Sequence, residues 1–143
     1  QEHGWAEDLD LWVRLFDAGV KFAKLGEPLY GWRQHAKSST RTDERYSHAK
    51  FMALKIAALD AGPLKDGRRA ALVGVGASLV RWREALGGRV AGCHEVRGQD
   101  TQLAPLLEAP VVLAFMAPEA RGRWRRSLTQ AGRRELIDFI FVA

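Results

Sequence analysis

Apolar residues recur at helical spacing from the start of the chain. Leu9, Trp12, Val13 and Phe16 fall on one face, and Gly19 is placed to end the helix. Residues 21–25 alternate polar and apolar side chains and predict a short strand, with a turn at Gly26-Glu27-Pro28. Residues 29–35 predict a second strand or extended segment. Ala49, Met52, Ala53, Ile56 and Leu59 then give one apolar face to a long helix over 42–61, which Gly62-Pro63 ends. Met52 and the neighbouring Phe51 read as core residues of that helix.

The pattern changes after residue 69. Residues 70–75 form an apolar run of the buried-strand type. A helix over 76–86 follows, closed by Gly87-Gly88, and then a second strand over 89–93. Residues 101–107 predict a short helix or turn, and 110–115 a third strand. Pro118 opens a helix that runs to about 131 and stops at Gly132. A last strand covers 138–142. Strands that alternate with helices predict an α/β domain with a parallel sheet covered on both faces, of the doubly wound type. Residues 63–69 read as a linker between a first segment, 1–62, and this α/β domain, 70–143.

Length fits one ordinary domain or two small ones, at 143 residues. No apolar run approaches the roughly 20 residues that a membrane-spanning helix needs. The start is polar and acidic, unlike a signal peptide. It has no initiator Met, and Gln1 reads as a cut end, so a fragment of a longer protein is expected. The lone cysteine, Cys93, excludes an internal disulfide and a cysteine-based zinc site. Its apolar surroundings, Val90-Ala91-Gly92, predict a buried structural thiol. A reducing, cytoplasmic compartment is expected.

Charge is uneven. Residues 1–66 balance 10 Lys/Arg against 10 Asp/Glu, whereas 67–143 set 12 Arg and no Lys against 7 Asp/Glu and so carry the whole net charge of +5. The switch in composition supports two domains. The arginine surplus suits phosphate or anionic lipid headgroups, which would bring the chain to the inner face of a membrane. A solvated, Arg-rich helix face explains it more simply. No nucleic-acid-binding signature accompanies it.

Candidate chemistry begins with Glu7, Asp8 and Asp10, on the first turn of the first helix. Free N–H groups and partial positive charge stabilise ionised carboxylates there. Such a carboxylate can be a general base or a helix cap, and on the residues alone capping is the better reading. Arg33, His35, Lys37, Ser38, Ser39, Thr40 and Arg41 form a second cluster. Guanidinium and hydroxyl groups bind phosphate oxygens, and imidazole binds divalent metals. The third feature is Gly74-Val75-Gly76-Ala77-Ser78-Leu79 between strand and helix. A dinucleotide fingerprint requires a third glycine where Leu79 stands, and the acidic residue wanted further on is at best Glu95. A tight turn explains Gly74 and Gly76, and NAD is not expected.

The ordered set Ala6-Glu7-Asp8-Leu9-Asp10-Leu11-Trp12-Val13-Arg14, Gly19, Glu27-Pro28-Leu29-Tyr30 and Trp32-Arg33-Gln34-His35 with Ser38 and Ser39 resembles the C-terminal end of the catalytic domain of family 2 glycosyltransferases, which have the GT-A fold. The resemblance covers roughly residues 3–60. It implies a truncated GT-A segment of helices with short strands. It also implies inverting transfer of a sugar from a nucleotide-sugar donor to a glycan or other hydroxyl acceptor. Asp8 takes the position of the general base, with Glu7 beside it in acceptor binding or support of the base. Arg33, His35, Ser38 and Ser39 match the segment that closes over the donor diphosphate. His35 matches a residue that helps hold the divalent metal, Mg or Mn, in some members; an exposed strand-end histidine is the alternative. Asp10 and Arg14 read as an (i, i+4) ion pair on the helix surface.

The family's donor-binding half lies upstream of the matching segment and has no counterpart in these residues. This chain alone is therefore expected to be inactive, with the parent protein as the enzyme. Apolar surface left open by the missing sheet is expected to favour self-association. Residues 70–143 resemble a Rossmann-like appendage at the C-terminus of some bacterial family 2 glycosyltransferases, through the glycine turn, Arg81-Trp82 and the closing 138–143 stretch. The alternative is a non-catalytic module that senses a nucleotide or docks a partner. A nicotinamide-dependent oxidoreductase is disfavoured by the broken fingerprint.

Overall fold

The computed structural model describes residues 4–31, 33, 35–96 and 103–142. The chain divides into two compact units, residues 1–58 and 59–143.

In the first unit, α1 (Glu7–Asp17) forms where the helical pattern begins, and no residue on it is buried. Gly19 ends it at φ +78°. The Gly19 N–H donates to the Phe16 carbonyl and the Val20 N–H to that of Leu15, the paired bonds of a Schellman cap. Residues 21–25 are not a strand, nor are the described residues of 29–35. Trp32 and Gln34 lie outside the described residues. Alternation alone makes no strand: an extended segment needs a neighbour for its backbone groups, and among the described residues of this unit no strand exists to provide one. The expected short strands of the first segment are thus replaced by exposed coil. Trp12 and Phe22 meet edge to face at 5.3 Å, yet Phe16, Leu25, Leu29 and Tyr30 stand 49–82% exposed.

The long helix expected over 42–61 is broken. Residues Ser39–Thr42 form a single turn, α2; Glu44–Tyr46 is a 3₁₀ turn, and α3 spans His48–Ala61. The division between the units falls within α3. Two local side-chain bonds cause the interruptions. Asp43 takes an extended conformation and accepts the Arg45 N–H at 2.9 Å. Ser47, also extended, accepts the Lys50 N–H at 3.3 Å and starts α3.

The second unit is the α/β domain, and its elements are β1 (Ala70–Gly74), α4 (Gly76–Leu86), β2 (Val90–Glu95), α5 (Ala104–Leu107), β3 (Val111–Phe115), α6 (Pro118–Gln130) and β4 (Phe139–Phe141). All four strands are parallel, in the order β2-β1-β3-β4. About 50% of the chain is helix. β1 and β3 are wholly buried apolar runs, as central parallel strands must be. Their side chains alternate between two layers. Ala71, Val73, Val112, Ala114 and Phe139 pack with Leu106 of α5 and with Trp124 and Leu128 of α6. The alternate positions face α4, whose Trp82 ring lies 5.3 Å from that of Phe115, beside the buried Leu79 and Leu86. Before β1, residues 65–67 form a 3₁₀ turn, and Leu64 is buried in what the sequence marks as linker.

Cys93 is exposed, not buried. Its strand, β2, is the sheet edge, and alternate residues Ala91, Cys93 and Glu95 stay open to solvent. The register with β1 slips between Ala70 and Ala71, which leaves Ala91 as the extra residue of a bulge. Among the described residues no helix is long and apolar enough to cross a membrane.

Candidate functional site

The acidic turn of α1 separates its carboxylates by partner. Glu7 accepts the Tyr46 hydroxyl at 2.6 Å and lies 3.7 Å from the Arg45 guanidinium. Arg45 in turn grips Asp43 through Nε and Nη2 at 3.0 and 2.7 Å. The Tyr46 hydrogen bond, with lesser help from the backbone and Arg45, holds the Glu7 carboxyl below its usual range. The same bond pushes the Tyr46 phenol up to about 12. Arg45 lowers Asp43 likewise. Asp10 pairs with Arg14 one helical turn on, at 3.1 Å, the (i, i+4) pair that the spacing predicts.

Asp8 makes no hydrogen bond or ion pair with these side chains, although its charge adds to that of Glu7 in raising the Tyr46 phenol. Its side chain is exposed, and Oδ1 accepts the Leu9 N–H at 2.7 Å. The N-cap residue itself, Ala6, has no capping side chain. Asp8 therefore takes one free donor of the first turn while the residue stays exposed. Of the three carboxylates, it is the one with no side-chain partner among the described residues.

The second cluster is set on a turn and a short helix. His35 is exposed, and its carbonyl accepts the Ser38 N–H at 3.0 Å. Arg33 is exposed, Ser39 opens α2 and is exposed, and Ser38 is buried. Ser38 Oγ lies 3.3 Å from Thr40 Oγ1, and the Ser38 carbonyl accepts the Thr42 hydroxyl. Ser38 thus serves the turn, and its hydroxyl is engaged locally. Among the described residues no hydrogen bond or ion pair joins Asp8 or Glu7 to Arg33, His35, Ser38 or Ser39. Nor do any three or more His, Cys, Asp or Glu side chains gather to hold a metal. The described residues do not by themselves make up a metal centre.

Tyr46, Arg45 and Asp43 are not marked as site residues by the sequence pattern. Their only signal is the polar run Thr42-Asp43-Glu44-Arg45-Tyr46 in what looks like a helix start. Nothing in its spacing points back to Glu7.

The glycine turn occupies a defined place in the α/β unit. From β1 the chain moves outward to β2 on one side, and later fills β3 on the other. The β1–α4 turn therefore sits at the switch point of the sheet, where ligands bind in open α/β folds. Gly74 is required by packing. A Cβ there would stand 2.6 Å from the Phe115 carbonyl oxygen. Gly76 has φ +66° and open space about it. Leu79, at the position of the absent third glycine, is buried in the core.

No protein-family model, curated protein or solved structure matches the chain.

Proposed function

We propose that residues 3–60 are the acceptor-side end of an inverting, family 2-like glycosyltransferase with a GT-A catalytic domain, and that residues 70–143 are a Rossmann-like accessory module. The observation that carries the reading is the division of labour on the first turn of α1. Glu7 and Asp10 are committed to Tyr46, Arg45 and Arg14, whereas Asp8 keeps an open carboxylate. An ionised, accessible carboxylate is what removal of an acceptor proton requires. In this reading Asp8 takes the proton of the acceptor hydroxyl as that oxygen attacks the anomeric carbon. Glu7 with Tyr46 steadies the turn that presents it. Arg33, His35 and Ser39 approach the donor diphosphate, and a divalent metal belongs with the donor half, upstream of this segment.

The test uses a chain that carries the donor half. Asp8→Asn is expected to cut sugar transfer by about 10²–10⁴-fold and to leave donor binding nearly intact. Unchanged turnover would remove Asp8 from the role.

A second reading, a non-catalytic module that senses a nucleotide or docks a partner, is supported by the position of the β1–α4 turn at the switch point and by the open space at Gly76. Calorimetric titration of the chain with NAD and with a nucleoside diphosphate separates the cases. Tight NAD binding would contradict the reading of Leu79 as a broken fingerprint, and diphosphate binding lost in Gly76→Val would favour the sensor.

A further inference from the structure

The second unit holds a groove that none of this chemistry uses. It lies between β2 and the α5 region, with a volume of about 510 Å³. Small-molecule sites fall in the range of roughly 300–1,000 Å³. Its walls come largely from small or stiff residues such as Ala71, Gly92 and Ala109, and three polar residues line it: Arg69, His94 and Glu108.

Local structure positions each of the three. Arg69 precedes β1 and donates to the Val90 carbonyl at 2.7 Å. That bond anchors one arm of the guanidinium and leaves other N–H groups for a ligand. His94 belongs to β2. Gly92 is not among the glycines at positive φ, so its backbone does not demand glycine. A Cβ there would stand 3.1 Å from His94 Nε2, so the missing side chain makes room for the imidazole. Glu108 follows α5, in a segment clamped by Arg133, which donates to the carbonyls of Leu107, Ala109 and Pro110. Among the described residues neither the His94 ring nor the Glu108 carboxylate has a hydrogen bond or ion pair.

One guanidinium and one unpaired carboxylate thus share a groove of otherwise small, mainly apolar walls. Both groups are exposed, so a singly charged ligand would engage only one of them and leave the other to water. A ligand bearing both charges satisfies both, with its carboxylate in the guanidinium fork and its ammonium on the glutamate. We infer that the groove between β2 and α5 binds a small zwitterion of the amino-acid type, its carboxylate on Arg69, its ammonium on Glu108, and His94 as a further hydrogen-bonding partner.

The test is a nuclear magnetic resonance titration of the full chain with L-alanine, L-leucine and L-lysine, one at a time, and with acetate and methylammonium as single-charge ligands. At least one amino acid is expected to shift the amides of Gly92, His94 and Ala109 saturably. Arg69→Gln and Glu108→Gln each weaken that binding about tenfold or more, and Gly92→Ala weakens it by displacing His94. Unchanged amide positions elsewhere report an intact fold. No saturable shift with any of the three amino acids would overturn the inference. So would acetate or methylammonium binding as tightly, or binding unchanged in both charge variants.

Discussion

Tyr46 donates its hydroxyl to Glu7 across 39 residues of sequence, at 2.6 Å. The bond ties the first turn of α1 to the 3₁₀ turn before α3, and each partner changes the other's proton affinity. Glu7 is held low, so its contribution is present above the ordinary carboxylate range and is lost as pH falls through the lowered value. Tyr46 is pushed up to about 12. Its contribution is complete below the ordinary phenol value and disappears as pH rises through the raised one. The bond therefore operates between those two limits.

Ultraviolet titration checks this directly. In a Tyr30→Phe background only Tyr46 reports. Its midpoint is expected at about 12, and Glu7→Gln should return it toward an ordinary phenol value of roughly 10. An identical midpoint in the two proteins would break the coupling.

Gly74→Ala should destabilise the second unit. The added Cβ meets the Phe115 carbonyl oxygen at 2.6 Å and the Phe115 Cβ at 2.7 Å. Neither neighbour is the far end of a flexible side chain, and β1 and β3 are locked in register at this pair. Overpacking of this kind costs about 1–3 kcal/mol, readable as a lower denaturant midpoint with little change in slope. Wild-type stability in this variant would mean that the strands lie farther apart.

Arg133→Gln should loosen the segment after α5. The guanidinium satisfies three carbonyls, of Leu107, Ala109 and Pro110, and the substitution leaves at least one of them without a donor. Two of the three bonds are exposed and Pro110 keeps the Arg68 donor, so the cost is that of an ordinary hydrogen bond, about 0.5–1.5 kcal/mol. Hydrogen exchange at Leu106, Leu107 and Ala109 should quicken while β1 and β3 stay protected. Equal exchange in both proteins would assign the clamp no role.

The α/β unit was legible because its signals are local and strong. β1 and β3 are continuous apolar runs, Pro118 begins α6, and Gly132 ends it at φ +80°. The exposure of Cys93 is not legible in its neighbours, because an edge strand can be as apolar in sequence as a central one; the sheet order exposes it. In the first unit, residues 21–25 alternate correctly for a strand but have no strand to pair with among the described residues. The Asp43 and Ser47 side chains divide a helix that apolar periodicity makes continuous. For the acidic turn, the Asp10–Arg14 pair follows from helical spacing. The Glu7–Tyr46 bond follows from tertiary placement that no spacing encodes.

The most direct measurement compares Asp8→Asn with Glu7→Gln in sugar transfer, on a chain carrying the donor-binding half. Loss of general-base catalysis costs about 10²–10⁴-fold in rate. Asp8→Asn should lose that factor in kcat with the donor KM unchanged, whereas Glu7→Gln, which alters only the residue tied to Tyr46, should lose less. Full turnover in Asp8→Asn, or a larger loss in Glu7→Gln, would contradict the assignment of Asp8 as the base.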